Sequence, residues 1–438
     1  MYVFLNDFLY YLDAENSGIS AILVSLVAAL LLKLFLLLPG KIFRIINSCI
    51  ITICLVVIIF IGSRTAILAF LTVSFYIVYP ILKSKYYFKV FRNWFLILFF
   101  FSVLFFLFFY KLQSTYGRAF VYKISWDLLR ENWISGVGQG KFNIHYNHAQ
   151  ASYFSNHSIT DDVALRANGA YYALNEWMQI WIENGVFTFL VFTLITVLLV
   201  VISIKRINCK YNFADVVILV VLIACLFSYP LHNYLIRNLF ILCVITILVS
   251  FIMENIKLRN RNFLNVIVSI LWFILIGTTL VTINHRHQIK KMESLIESGE
   301  VNKALAFARA NWDRFAEDYK FSGLYLKLLF DTHRLDEYLM HFEKNHFKNC
   351  NQRFHTMAGH SYNENGDFLS AEKNFLVALY IAPYRLQSRK DLMDFYHQRG
   401  NIQKARYWAN EILLCPMKFY TERGVYLKSK AAMYLKGN

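Results

Sequence analysis

Apolar residues in this chain gather into long uninterrupted runs. Runs near 18 to 38, 46 to 62, 65 to 82, 94 to 110, 186 to 204, 215 to 231, 234 to 253 and 262 to 284 each approach the roughly 20 residues with which a helix crosses about 30 Å of hydrocarbon. A backbone in hydrocarbon must satisfy its own hydrogen bonds, so these runs are predicted to be helices. Two stretches break the pattern. Lys111 to Gly185 is polar and interrupts the runs, and from His285 onward the chain is charged with a helical period. The predicted fold is therefore all-α, a transmembrane bundle of about eight spans followed by a soluble α-solenoid. Its expected parts are an N-terminal segment 1–17, a membrane domain 18–284 carrying the loop 111–185, and a helical domain 285–438.

Composition agrees with that reading. Hydrophobic residues make up 57% and charged residues only 17%, against about 45–50% and 25% in a soluble domain. The net charge of +17 raises nucleic acid as a partner, and its placement removes it. Lys41 and Arg44, then Lys83, Lys85, Lys89 and Arg92, then Lys205, Arg206 and Lys210, then Lys257, Arg259 and Arg261 fall in alternate connections, the positive-inside pattern of cytoplasmic loops. The N-terminal segment, the turn before Ser63, the loop 111–185 and the tail after Asn284 are then expected outside.

The polar loop collects the groups most able to do chemistry. Val121 to Asn132 reads as a helix with Ile124, Leu128 and Leu129 on one side. Gly136, Gly138 and Gly140 then break it. A GxGxG run invites a phosphate-loop reading, but no strand precedes it, and a sharp turn with close backbone approach is the expected role. Ala170 to Asn184 is predicted to be a second helix stopped by Gly185. On it Glu176, Gln179 and Glu183 share one face, and Trp177 and Trp181 another. Arg64 sits at the outward end of two spans, where an arginine either snorkels or binds an anion. Arg166 and Arg237 occupy comparable interfacial positions. His145, His148 and His157 are further candidates from the loop.

The seven cysteines give little direction. Cys350 and Cys415 share the outward tail, and spacing leaves their pairing open. No metal-ligand spacing occurs.

In the tail, Gly366-Asp367 with Ala371 is echoed by Gly400-Asn401 with Ala405, a period of about 34 residues that is the tetratricopeptide signature. Pro383 and Pro416 repeat at nearly the same interval. Gly299-Glu300 with Ala304 and Ala308 reads as an earlier unit.

Taken in order, these pieces resemble the O-antigen ligase and polymerase family. The resemblance rests on Asn16-Ser17-Gly18 leading into a span, Ser63-Arg64-Thr65 opening another, and Gly117-Arg118 early in the loop. Trp126 and Gly136-Val137-Gly138-Gln139-Gly140-Lys141-Phe142 follow, then Asn175-Glu176-Trp177-Met178-Gln179 ahead of Glu183-Asn184-Gly185. It covers roughly residues 15 to 250. It implies transfer of a glycan from a polyprenyl diphosphate carrier in the bacterial inner membrane, with membrane lipid and the lipid-linked glycan as partners. The acceptor would be lipid A core or a protein, or another repeat unit if the chain is a polymerase. Neither a cofactor nor a metal is implied.

Under this resemblance Arg64 and Arg118 match family arginines suited to a diphosphate. Glu176 becomes the candidate base, and Asn175, Gln179, Arg166 and Arg237 candidate substrate contacts. The chain departs from the family pattern at Leu174, where many members have histidine, and at Trp133, where proline is common. It also lacks the spans expected before Gly18 and reads as a shortened form. Residues 285–438 suit a protein partner, and a non-catalytic scaffold for envelope glycan assembly is the alternative.

Overall fold

The computed structural model describes residues 16–38, 40–83, 112–157, 159, 161–209, 212–255, 261–345, 350–417 and 420–437. Segment 1–15 and the span expected at 94–110 lie outside these residues. Among the described residues the secondary structure is helical, with no strand. The chain divides into two compact units. One comprises Met1–Leu112, Leu174–Ile180 and Val186–His287, the other Gln113–Ala173, Trp181–Gly185 and Gln288–Asn438.

In the first unit, helices Ser17–Leu37, Lys41–Ile61, Glu176–Lys205 and Tyr234–Phe251 are long and apolar enough to cross a membrane. Asn16 caps the first by accepting the Gly18 N–H at 2.8 Å. Gly62, at φ 67° and ψ 34°, ends the second in the left-handed region, where glycine carries no Cβ penalty. The buried Ala28, Ala29, Ala69 and Ala224 let neighbouring helices approach closely, as small residues do between membrane helices. Large apolar side chains point outward instead: Phe60, Phe187 and Leu194 are exposed. A hydrocarbon solvent makes that arrangement favourable, and water would not.

One expected span comes out shorter: Phe213–Cys225 falls below spanning length and, with 13 residues, covers only about 20 Å at 1.5 Å per residue. The run expected to continue to 231 instead turns at Leu226 and passes into a 3₁₀ turn, Pro230–His232. Proline can open such a turn because it needs no partner for a backbone N–H.

At the other end of the Phe213–Cys225 helix, the fully buried Asp215 accepts from Ser203 Oγ at 3.0 Å. The Arg206 guanidinium lies 3.4 Å from it, and Tyr76 and Asn212 close the network. A carboxylate this enclosed needs such partners. The sequence pattern gave no sign of it, because Asp215 is the first residue of an apolar run.

The second unit joins loop helices to the C-terminal helices. Helix Leu112–Asn132 starts earlier than expected and buries Ile124, Leu128 and Leu129. Gln352–Glu364 pairs with Phe368–Ile381, and Leu386–Gln398 with Ile402–Leu414. Each hairpin turns on a positive-φ glycine, Gly366 or Gly400, and is restarted by an N-cap, Asp367 on Ser370 N–H or Asn401 on Lys404 N–H. The repeated Ala371 and Ala405 are fully buried, and the small side chain is what lets the paired helices close. The boundary expected at 285 falls inside one helix, Arg261–Glu297.

Helix Phe142–Asn156 carries a buried polar stripe of Asn143, Asn147 and Gln150. Asn143 Nδ2 donates to Ala170 O at 3.0 Å and Gln150 Nε2 to Ile381 O at 2.6 Å, while Asn147 donates to Cys350 O and accepts from Ala170 N–H. These amides satisfy backbone groups that no regular element reaches. Gln150→Leu leaves the Ile381 carbonyl buried and unpaired, at about 1–3 kcal/mol. Its expected result is a lowered Tm of the detergent-solubilised chain, with Ser152→Ala on the exposed face unchanged.

Candidate functional site

Asn175 fixes where the second loop helix begins. Its backbone is extended at φ −155° and its side chain accepts the Met178 N–H at 3.0 Å, the geometry of an N-cap. The helix therefore starts at Glu176 and not at Ala170, and the preceding Leu174 sits at φ 58°. Asn175 Nδ2 also donates to Leu226 O at 2.8 Å. Asn16 Nδ2 reaches Tyr229 Oη at 2.7 Å. The two asparagines thus hold the connection that follows the short helix Phe213–Cys225.

On that connection Glu176 meets a histidine. The Glu176 side chain is 2% exposed; Oε1 accepts the Leu231 N–H at 2.7 Å, and Oε2 lies 3.5 Å from His232 Nδ1. The His232 side chain is 29% exposed, so the imidazole is the accessible member of the pair and the carboxylate the enclosed one. A closure of about half an ångström would bring Nδ1–H into ordinary hydrogen-bond range of the carboxylate, a looseness common in substrate-free catalytic sites. Chemically, the pair can serve as a base: Nδ1 of a partly exposed imidazole faces an enclosed carboxylate. Nothing in the sequence singled out His232; the available signal was a histidine in a proline-opened turn just after an apolar run.

The remaining sequence candidates are distributed between the units. Gln179 is buried in the first unit, Arg64 is the partly buried first residue of helix Arg64–Lys83, and Arg237 is exposed on helix Tyr234–Asn255. Arg118 and Arg166 belong to the second unit. The Arg166 guanidinium lies 4.7 Å from the centre of the Tyr116 ring. Burial raises the pKa of the Tyr122 phenol, and the Arg118 charge pulls it back down.

Gly136, Gly138 and Gly140 all have positive φ, at 70°, 103° and 72°. Val137 N–H donates to Ile182 O at 2.8 Å and Gly138 N–H to Glu183 O at 2.9 Å. The turn thus lies backbone to backbone against residues 182–185. An added Cβ on Gly136 would stand 2.5 Å from Glu183 O. Glu183 is buried, as Glu176 and Gln179 on the same predicted helix face are, and its Oε1 is 3.4 Å from the Phe142 N–H that opens the next helix. Gly185, expected to stop the helix, breaks it at φ 77° and ψ 178°, and the chain then resumes as helix to Lys205. Trp181 donates Nε1–H to Trp133 O at 3.1 Å and meets Trp126 edge-on.

The loop histidines are engaged inside the second unit. Burial and the Lys141 charge lower the pKa of the His145 imidazole, His157 stacks on Tyr153, and His148 meets the His355 ring edge-on. Cys350 and Cys415 are both free thiols.

The family model described as O-antigen ligase matches residues 16–193. No curated protein and no solved structure matches the chain.

Proposed function

With residues 16–193 belonging to the O-antigen ligase family, we propose that this integral membrane protein transfers a glycan from a polyprenyl diphosphate carrier to a hydroxyl acceptor. Ligase-type or polymerase-type glycosyl transfer is the family's general activity. The observation that carries the finer reading is the Glu176–His232 pair. In the proposed step His232 Nε2 takes the acceptor hydroxyl proton as its oxygen attacks the anomeric carbon. The bond from that carbon to the diphosphate breaks, and the carrier diphosphate leaves with inversion. Glu176 is then a positioning residue, orienting the imidazole toward the acceptor hydroxyl.

The departing diphosphate gains charge and needs cations. Arg64 and Arg118 are assigned to it because a guanidinium offers a planar set of donors to phosphate oxygens. Arg166, Arg237, Asn175 and Gln179 are assigned around the substrates. The site is placed on the outer face of the bacterial inner membrane, following the basic clusters of the alternate connections.

A cavity of about 660 Å³ among the C-terminal helices, bordered by Arg353, Arg385, Arg423, His360 and Asp391, supports a protein acceptor or partner for residues 285–438. Solenoids of tetratricopeptide-like hairpins present concave surfaces of this kind.

The test is glycan transfer in membranes from a strain lacking the gene, complemented with the chain or its variants at equal abundance. Arg118→Ala and Arg64→Ala are each expected to lower transfer about 10²-fold, the usual loss when one group stabilising developing charge is removed. Full transfer with both replaced would overturn the catalytic reading and leave a scaffold.

A further inference from the structure

The second unit gathers three side chains of ligand type that the sequence keeps far apart. His148 comes from helix Phe142–Asn156, Cys350 precedes helix Gln352–Glu364, and His355 lies within it; one ligand atom of each falls within 4.8 Å of the others. Cys350 Sγ is 3.5 Å from His355 Nε2. Tetrahedral Zn²⁺, with bonds of about 2.3 Å to sulfur and 2.05 Å to nitrogen, holds the two donor atoms about 3.5 Å apart.

The surroundings orient these atoms. His355 Nδ1 is 2.9 Å from Asn374 Oδ1, and Asn374 Nδ2 donates to Ser370 O at 2.9 Å, which fixes the amide with its oxygen toward the ring. His355 then carries its proton on Nδ1 and presents the Nε2 lone pair to Cys350. An outer carbonyl that fixes the tautomer in this way is the common second partner of a metal-binding histidine. On the other side, Asn147 and Gln150 tie helix Phe142–Asn156 to Cys350 O and Ile381 O, so the next residue, His148, is carried over the pair.

A Cys–His–Asn line also has the form of a nucleophile with its base. Cys350 is fully buried and burial pushes its thiol up to about 12, which leaves it neither reachable nor ionised for that work. A small cation has a route, because His148 is exposed.

We propose that His148, Cys350 and His355 form a Zn²⁺ site that fastens the loop helix to the C-terminal helices of the second unit. One thiolate and two imidazoles favour Zn²⁺ over the oxygen-preferring Mg²⁺ and Ca²⁺. On binding, Cys350 releases its thiol proton to solvent, and water takes the fourth tetrahedral position. This proposal is independent of the glycan-transfer reading.

The experiment uses the full chain in detergent, stripped of metal and titrated with Zn²⁺ and, in parallel, Co²⁺. The expected results are stoichiometric Zn²⁺ retention after desalting, a rise in Tm, and a thiolate-to-cobalt charge-transfer band. His148→Ala, on an exposed side chain, is expected to keep the metal-free Tm and lose the Zn²⁺ response. Asn374→Ala should weaken Zn²⁺ binding about 10–100-fold, the usual cost of an outer partner, and Cys415→Ser should change nothing. A charge-transfer band that is absent, or a Zn²⁺ response that survives His148→Ala, would overturn the site and leave only a buried S–H···N hydrogen bond.

Discussion

Gly185→Ala is expected to leave little folded protein. Gly185 sits at φ 77°, and an added Cβ would stand 2.0 Å from the Ile134 carbonyl oxygen, inside any possible contact. The obstruction is backbone on both sides, so no rotamer change relieves it. Backbone strain of about 1–3 kcal/mol and overpacking of about 1–3 kcal/mol together approach the roughly 5–15 kcal/mol that holds a typical fold. Size-exclusion profiles and thermal melts in detergent are the measurement, with transfer activity read from whatever remains folded. Gly117→Ala is the control, since nothing lies within 4 Å of its added Cβ. A Gly185→Ala protein that melts like the parent would mean that the turn and residues 182–185 do not approach this closely.

His232→Ala is expected to lower glycan transfer by about 10²–10⁴-fold, the range for loss of a positioned general base, with fold and abundance kept because the ring is partly exposed. Glu176 separates chemistry from structure. Glu176→Gln keeps an oxygen for the Leu231 N–H and removes the charge facing His232, so turnover should fall with KM and Tm nearly unchanged. Glu176→Ala also strands the Leu231 N–H, adding about 1–3 kcal/mol of destabilisation. External imidazole should restore part of the activity of His232→Ala and none of the activity lost in Arg118→Ala. If Glu176→Gln turns over like the parent, the carboxylate merely holds the 230–232 turn; if His232→Ala does so as well, the base lies elsewhere.

The glycine turn and the Glu176–His232 pair differ in how far the sequence announced them. Glycines at 136, 138 and 140 were legible as a turn, because a residue type with freedom at positive φ repeated at short spacing has few other uses. What they pack against was not legible, since residues 182–185 are some 45 positions away along the chain. Glu176 stood out by its place beside Asn175 in a resemblance to the family. Its partner His232 did not, because the apolar run before it extended the expected helix across the turn that actually delivers the histidine.

Hydrophobic run length determined the membrane helices, because a span in hydrocarbon has to close its backbone hydrogen bonds locally and a single segment records that need. The 34-residue echo of glycine, Asx residue and alanine likewise determined the C-terminal hairpins, since turn, cap and close approach are all local demands. Only tertiary structure decided that the polar stripe of Asn143, Asn147 and Gln150 is buried, that loop 113–173 folds with the C-terminal helices in one compact unit, and that Glu176 faces His232. Each of these depends on a partner atom contributed by a distant segment, and periodicity within one element carries no information about which carbonyl, carboxylate or ring will be opposite it.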